Sequence, residues 1–269
     1  MGPTPTVASA PPPRADTDRR FAVRLLLAVL AFAAAAVPFG VLLLLVEAHW
    51  GPLRRLDQGA AADLHSAVLA HPAWTDLLRV ASDELWGPWT MRLLVAVAVG
   101  WLAARGAWRL ALWAALTETA SGLVGLLVKD VVARTRPALP EPVAHAAGFS
   151  FPSGHAMTAM TSCAVLLLVL LPVVPRRWRP LAWLAAIVPV FGVGLTRVAL
   201  GVHWVSDVLG GWLLGLALVA ATAWAFDAWR LDAGRGVAPV TEGLEPELSR
   251  PGPPEPPPVR PRRAPDPRP

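Results

Sequence analysis

Three short segments of this apolar chain combine residue types that suit the chemistry of a phosphate group. Arginine offers a planar fork of donors that matches phosphate oxygens, and lysine adds a compact positive charge. Histidine can transfer a proton or attack phosphorus. The segments cover residues 129–137, 152–155 and 197–207. The residues of interest are, in chain order, Lys129, Arg136, Ser153, Gly154, His155, Arg197, His203 and Asp207. Lys129, Arg136 and Arg197 are together expected to neutralise the oxygens of a phosphoryl group.

The second segment, Pro-Ser-Gly-His over residues 152–155, has the composition of a helix N-terminus. Serine is a favoured N-cap, and the free N–H groups of a first helical turn, with the helix dipole, attract anions. We therefore expect the N–H groups of Ser153, Gly154 and His155 to point outward toward a phosphate. Gly154 carries no side chain and lets the backbone approach the anion closely.

The third segment pairs a histidine with an aspartate. His203 and Asp207 are four residues apart, which places them on one face of a helix. The carboxylate would then hold one ring nitrogen while the other nitrogen is free to attack. This spacing predicts a histidine nucleophile oriented by an aspartate.

The composition indicates a membrane protein. Of the 269 residues, 55% are hydrophobic and 16% charged, and the mean hydropathy is +0.49, whereas charged residues make up about a quarter of a soluble domain. The net charge of +5 comes mainly from arginines in short polar gaps and tails, so we expect no nucleic acid partner. The single cysteine, Cys163, excludes an internal disulfide, and its apolar neighbours indicate a small buried hydrophobe.

Six apolar stretches predict an all-α fold, a six-helix transmembrane bundle over residues 21–230. Each is close to the roughly 20 residues that cross a bilayer. The stretches cover 21–46, 89–104, 108–128, 154–174, 181–200 and 208–226. Residues 1–20 and 231–269 are rich in proline and charge, which predicts disordered tails. The first outer loop, about 47–88, contains a helical pattern flanked by tryptophans and predicts an interfacial helix.

Arginines in the polar gaps set the orientation. Groups before the first stretch and after the second, fourth and sixth share one side, which the positive-inside rule makes cytoplasmic. Both termini of this cell-membrane protein are therefore expected in the cytoplasm. The three polar segments then meet on the extracytoplasmic face, where the third and fifth stretches end and the fourth and sixth begin. Arg134 lies there outside the pattern, and we interpret it as a membrane-surface anchor.

The pattern Lys, six residues, Arg-Pro; then Pro-Ser-Gly-His; then Arg, five residues, His, three residues, Asp resembles the type 2 phosphatidic acid phosphatase superfamily. That superfamily includes membrane lipid phosphate phosphatases, undecaprenyl pyrophosphate phosphatases and soluble vanadium haloperoxidases. The motifs span Lys129 to Asp207, and the six-helix layout extends the likeness to about residues 21–230. One departure is Thr196, where the family often has serine, but the hydroxyl is kept.

The resemblance implies a role for each site residue. His203 would attack phosphorus and form a phosphohistidine, Asp207 would orient His203, and His155 would protonate the leaving oxygen. The remaining members of the set would bind the phosphoryl group; these are Lys129, Arg136, Ser153, Gly154 and Arg197. Because these cations stabilise the negative charge on the phosphoryl oxygens, which is the role of metals in many other phosphatases, we expect no metal and no cofactor.

Three further polar residues are given structural roles. Glu118 lies within the third apolar stretch, where an acid is costly, and we expect it to form a hydrogen bond inside the bundle. Glu141 and His145 lie between the first two segments and are interpreted as ordinary loop residues.

The predicted function is metal-independent hydrolysis of a lipid phosphate or polyprenyl pyrophosphate in the bilayer. Undecaprenyl pyrophosphate, phosphatidate, phosphatidylglycerophosphate and a decaprenyl-linked sugar phosphate all fit the residue types. The alternatives are a lipid phosphotransferase, haloperoxidase chemistry with vanadate, and a non-catalytic lipid-phosphate-binding or anion-transport protein. Six spans argue against the haloperoxidase, and the presence of both His203 and Asp207 argues against a non-catalytic protein. The sequence leaves the oligomeric state and the role of the proline-rich tail open.

Overall fold

The computed structural model describes residues 14–233 and 243–244, and within these ranges the regular secondary structure is helical throughout. The α-helices are α1 (Arg14–Glu47), α2 (Gly51–Leu69), α3 (Pro72–Arg79), α4 (Pro88–Ala104), α5 (Trp108–Val132), α6 (Gly154–Leu170), α7 (Arg179–Ala199) and α8 (Val205–Asp232). A π-helical turn, Val80–Leu85, joins α3 to α4, and a 3-10 turn, Arg176–Trp178, precedes α7. The predicted all-α class is confirmed.

Several of these helices have the length and composition of membrane spans. Five segments are long and apolar enough to cross a bilayer, namely Val29–Glu47, Pro72–Ala104, Trp108–Val132, Arg176–Ala199 and Val205–Arg230. Helix α6 is also apolar but has 17 residues. Large apolar side chains such as Leu44, Val97 and Leu127 are more than half exposed on the outside of the bundle, which suits lipid rather than water. The chain is a multi-pass membrane protein.

The structure changes the predicted tail boundaries. Helix α1 begins at Arg14, within the stretch predicted to be a disordered tail. Leu244 also lies in a predicted tail, yet it is buried in the core and its N–H donates to the Leu168 carbonyl at 3.3 Å. Gly243 makes this contact possible, because its φ of +80° and missing Cβ let the backbone turn against Pro172. The remaining tail residues lie outside the described ranges.

The first outer loop forms two helices and the π-helical turn instead of one continuous helical segment. Pro72 has no N–H for the helical ladder, so α2 ends at Leu69 and α3 starts at the proline. Helix α2 buries one face against α7 and α8. The buried residues of that face are Asp57, Ala61, His65 and Val68. The loop is therefore a packed part of the protein and contributes a charged side chain to its interior.

Helix α6 is the centre of the bundle and packs against α4, α5, α7 and α8. Its contact with α8 is close because α8 carries glycines at the crossing. A Cβ on Gly211 would lie 2.6 Å from the Ser153 carbonyl oxygen, and one on Gly215 would lie 3.0 Å from Thr161 Oγ1. This close approach brings the N-terminal ends of α6 and α8 together.

Two predictions about polar residues inside the bundle are confirmed. Glu118 accepts a hydrogen bond from Ser162 Oγ at 3.1 Å, and Arg92 lies 4.0 Å from its other oxygen. Cys163 is buried with 6% exposure in an apolar cluster. Both residues serve packing between helices and lie apart from the three polar segments.

The glycine crossing gives a first prediction. Gly211→Ala places a methyl group against the Ser153 carbonyl, and overpacking of this kind costs about 1–3 kcal/mol. The matched control is Gly100→Ala in α4, where a Cβ meets no atom of the described chain within 4 Å. Since alanine is favoured over glycine inside a helix by roughly 0.5–1 kcal/mol, the control is expected to be neutral or stabilising. Thermal unfolding in detergent measures both variants, and equal shifts would contradict the tight crossing.

Candidate active site

Arg136 folds the loop between α5 and α6 around its guanidinium. Its nitrogens donate to four backbone carbonyls at 2.7–3.1 Å, those of Ala147, Gly148, Phe149 and Val202. Its Nη1 also lies 3.1 Å from His203 Nε2. The first and third polar segments are thus joined by one arginine.

Lys129, near the end of α5, forms hydrogen bonds to the same loop. Its Nζ donates to the carbonyls of Phe149 at 2.8 Å and Pro152 at 3.0 Å. An ammonium has three donors, so one remains for a further acceptor. Lys129 therefore ties the first segment to the second and keeps a positive charge beside the start of α6.

His203 and Asp207 are in contact, but the local geometry differs from the predicted helix face. Helix α8 begins at Val205, so His203 lies in the loop before it and Asp207 in the first turn. His203 Nδ1 is 3.3 Å from Asp207 Oδ2, which also accepts from the Trp204 N–H at 2.8 Å. Both side chains are buried, with 2% and 0% exposure. Asp207 thus caps its own helix with the oxygen that orients the histidine.

Burial lowers the pKa of His203 to about 4. The Asp207 hydrogen bond and charge raise this pKa, while Arg136 and Arg197 lower it further. The imidazole is therefore neutral at pH 7. With its Nδ1 proton directed to Asp207, the unprotonated nitrogen is Nε2, whose lone pair accepts from Arg136 Nη1 at 3.1 Å.

Ser153 is the N-cap of α6, as predicted, and its Oγ accepts from the Ala156 N–H at 3.4 Å. The Ser153 N–H is not free, however, because it donates to the Asp207 carbonyl at 2.9 Å. The N–H groups of Gly154 and His155 belong to the first helical turn, which has no preceding helical carbonyl to accept them. A Cβ on Gly154 would meet no atom of the described chain within 4 Å, so the backbone is open to an approaching group.

Arg197 and His155 meet at an acid that the sequence analysis missed. Asp83 Oδ1 accepts from Arg197 Nη1 at 2.9 Å and lies 3.5 Å from His155 Nε2. Ser82 Oγ accepts from the same Nη1 at 3.0 Å, and both acceptors lie in the π-helical turn. Arg197 Nε is buried and has no hydrogen-bond partner within the described residues. Arg197 therefore retains a donor at the site. π-Turns are frequent at functional sites, but the residues SDEL carry no signal in sequence.

Arg134 is not the membrane-surface anchor that the sequence analysis proposed. Its guanidinium donates to Asp207 Oδ1 at 2.6 Å, to Ser206 Oγ at 2.7 Å and to Asp57 Oδ2 at 2.8 Å. Its side chain is only 16% exposed. A surface anchor would keep its charge in the headgroup layer, whereas this charge is held between two buried carboxylates.

The loop residues Glu141 and His145 are exposed, in agreement with their interpretation as ordinary loop residues. Thr196 donates its hydroxyl to the Val193 carbonyl at 2.8 Å, so the departure from serine retains a hydrogen-bonding group. A cavity of about 490 Å³ adjoins Arg134, Asp57 and Trp204, but its lining does not include any of the eight predicted site residues. This cavity is therefore not formed by the predicted site residues.

Comparison with known proteins shows the family of this chain. The family model described as PAP2 superfamily matches residues 110–231, which contain all three polar segments. Over 181 residues the chain is 31% identical to phosphatidylglycerophosphatase B of Bacillus subtilis, covering 66% of this chain and 86% of that protein. The chain belongs to the PAP2 superfamily.

Other members of the superfamily match shorter or more divergent regions. An undecaprenyl-diphosphatase of Sulfolobus acidocaldarius is 40% identical over 67 residues, 25% of this chain and 29% of that protein. The lipid A 1-phosphatase of Rhizobium etli is 30% identical over 147 residues, 51% of this chain and 60% of that protein. The crystal structure of a transmembrane PAP2 type phosphatidylglycerolphosphate phosphatase from Bacillus subtilis superposes with a TM-score of 0.63 at 27% identity, covering 72% of this chain and 96% of that one.

The environment of His203 gives a second prediction. NMR titration of histidine-labelled protein is expected to give His203 a pKa near 4, instead of about 6.5 for an unfolded histidine. Because the folded value is the lower one, His203 contributes stability above pH 6.5 that is lost as the pH falls toward 4.

Two variants secure the assignment of that signal. His203→Gln removes the resonance, and Asp207→Asn is expected to lower the His203 pKa further, because the carboxylate raises it. Protonation of His203 near pH 6.5 in the wild type would contradict the buried neutral imidazole.

Proposed function

We propose that this PAP2 protein removes phosphate from a lipid phosphate or a polyprenyl pyrophosphate without a metal, through a phosphohistidine on His203. The observation that carries the proposal is the geometry of the buried His203. Its Nδ1 is held by Asp207, and its Nε2 lies 3.1 Å from the phosphate-binding candidate Arg136. A nucleophile beside a bound phosphoryl group requires this combination of an unprotonated nitrogen and an adjacent cation.

In the first step, Nε2 of His203 attacks phosphorus and the bond from phosphorus to the leaving oxygen breaks. His155 donates a proton to that oxygen. In the second step, water gives a proton to His155 and attacks the phosphohistidine, the P–N bond breaks, and inorganic phosphate leaves. Asp207 keeps the proton of His203 on Nδ1 through both steps, so Nε2 is regenerated with its lone pair.

The positive charges around the site stabilise the phosphoryl oxygens in both steps. Lys129 and Arg136 approach from the end of α5 and its loop, and Arg197 from the end of α7. The Arg197 Nε and the backbone N–H groups of Gly154 and His155 add donors around the same group. Such fixed donors act where charge develops and need no rearrangement during the reaction.

The proposed substrate is a lipid because the site lies at one end of a bundle with apolar outer surfaces. We place the spans in α1, α4, α5, α6, α7 and α8, with both termini in the cytoplasm and the site at the extracytoplasmic headgroup layer. Trp74 and Trp89, 61% and 82% exposed, support an interfacial position for the first outer loop. The relatives are named for phosphatidylglycerophosphate, undecaprenyl diphosphate and lipid A 1-phosphate, which share a phosphate at headgroup depth.

A third prediction tests this function directly. Purified protein in detergent with EDTA is expected to release phosphate from at least one of phosphatidate, phosphatidylglycerophosphate and undecaprenyl pyrophosphate. His203→Ala is expected to lower kcat by about 10⁴-fold or more, as for other catalytic nucleophiles. The matched control is His145→Ala, because His145 is an exposed loop histidine on the same side of the bundle. It should retain wild-type activity.

The possible outcomes separate the competing functions. No release from any lipid, or equal release by His203→Ala, would move the assignment to a binding or anion-transport protein. Consumption of the lipid only after addition of an alcohol acceptor, with the phosphoryl group recovered on that alcohol and not as free phosphate, would identify a lipid phosphotransferase. Loss of activity in EDTA, restored by a divalent metal, would overturn the metal-independent mechanism.

A further inference from the structure

Asp207 is held on two sides. One carboxylate oxygen, Oδ2, faces His203 and the Trp204 N–H. The other, Oδ1, accepts from Arg134 Nη1 at 2.6 Å, and the carboxylate has 0% exposure. A buried carboxylate costs several kcal/mol unless a cation or several donors compensate it. Arg134 supplies that compensation from the face that His203 does not use.

Arg134 is in turn held by a second buried acid. Its Nη2 donates to Asp57 Oδ2 at 2.8 Å, and Asp57 is 1% exposed. Asp57 also accepts from both Ser206 groups, the N–H at 2.9 Å and the Oγ at 2.6 Å. The guanidinium therefore bridges two carboxylates, and the second of them is bonded to the residue before Asp207.

This chain of contacts links three separate parts of the fold. Asp57 lies in α2, Arg134 in the loop after α5, and Ser206 with Asp207 in the first turn of α8. The charges alternate along it, from the Asp57 carboxylate through the guanidinium to the Asp207 carboxylate. Each member satisfies donors or acceptors of the next, which fixes the orientation of all of them.

We propose that Arg134 and Asp57 are positioning residues for the nucleophile, holding the Asp207 carboxylate in the orientation that fixes His203. The proposal rests on the proposed function, because it assigns the two residues to its His203–Asp207 pair. Neither residue contacts the phosphoryl group. They act through Asp207 and extend the pair into the first outer loop.

The charges of Arg134 and Asp57 shift the pKa of His203 in opposite directions. Loss of the Arg134 charge leaves Asp57 and Asp207 uncompensated, which favours the imidazolium form of His203 and raises its pKa. Loss of the Asp57 charge leaves Arg134 less neutralised, which disfavours the imidazolium and lowers the pKa. The other charged or titratable groups around the pair remain in every variant; these are Lys129, Arg136, His155 and Arg197.

The fourth prediction uses Arg134→Gln and Asp57→Asn with matched controls on α2. Each is expected to lower kcat by about 10- to 100-fold, the range for groups that orient a catalytic ligand from one residue further out. KM for the lipid should change by less than about threefold, since neither residue touches the substrate. The controls, Arg55→Gln and Asp63→Asn, remove exposed charges of the same types from α2 and should match wild type.

The pH dependence of kcat/KM separates positioning from a merely structural effect. The acidic limb of this profile reports the pKa of the nucleophile in the free enzyme. We expect the limb to move up by roughly half a unit to one unit in Arg134→Gln and down in Asp57→Asn. In the double variant the two charge changes cancel, so the limb should return toward the wild-type position. Arg134→Lys keeps the charge but not the fork, and should keep the limb while losing kcat.

Thermal unfolding in detergent shows whether each variant folds. If Arg134→Gln does not fold, Arg134→Lys and Asp57→Asn still test the inference. The inference would be overturned if the wild type is active and both Asp57→Asn and Arg134→Lys have the same kcat and pH dependence as the controls. The inference would also be overturned if Asp57→Asn and Arg134→Gln lose kcat while the acidic limb of kcat/KM stays in place in both. Movement of that limb in the same direction in both variants would overturn it as well. Inactive wild type would instead refute the proposed function.

Discussion

The geometry of the site depends on one buried residue, Asp207, because each of the three polar segments contains a residue that contacts it. Its carbonyl accepts from the N-cap of α6, Ser153, at 2.9 Å, and its Oδ2 accepts from the backbone N–H of Trp204. The same oxygen faces His203, and Oδ1 accepts from Arg134. A carboxylate in an apolar bundle is stable only when such donors surround it. The requirement to satisfy Asp207 therefore brings the loop after α5, the start of α6 and the start of α8 to one point.

Repulsion between the cations of the site is limited by backbone carbonyls, by the Ser82 hydroxyl and by one acid, Asp83. Arg136 and Lys129 direct most of their donors to backbone carbonyls of the loop they enclose, and Arg197 is bonded to Ser82 and Asp83. Carbonyl dipoles hold these cations in place but leave their net positive charge available to an anion. Asp83 adds a single acidic contact, half exposed, between Arg197 and His155. Lys129 and Arg136 thus bring positive charge to the site that no carboxylate of the described residues pairs directly.

The sequence was sufficient for the features that depend on local pattern. Apolar stretches located the long helices, and the types and spacing of the three segments predicted which side chains would meet. It was insufficient where the partner is distant. Arg134 was misinterpreted because Asp57 lies 77 residues away in an outer loop, where an acid is ordinarily solvated. Asp83 was missed for the same reason, and Leu244 because one buried leucine in a proline-rich stretch has no periodicity. The His203–Asp207 contact was anticipated, but through a helix that starts only after His203.

The convergence of the segments follows from the order of the helices more than from any local motif. Lys129 at the end of α5 contacts the Pro152 carbonyl at the start of α6, and Arg136 contacts the loop that connects α7 to α8. Consecutive helices that reverse direction bring the end of one beside the start of the next, so alternate connections share one end of the bundle. Residues far apart in sequence are then held at the same depth in the bundle, and contacts between side chains set only their orientation. Setting that orientation is the role of Arg134 and the buried Asp57, since the helices alone set depth and not the rotation of an imidazole.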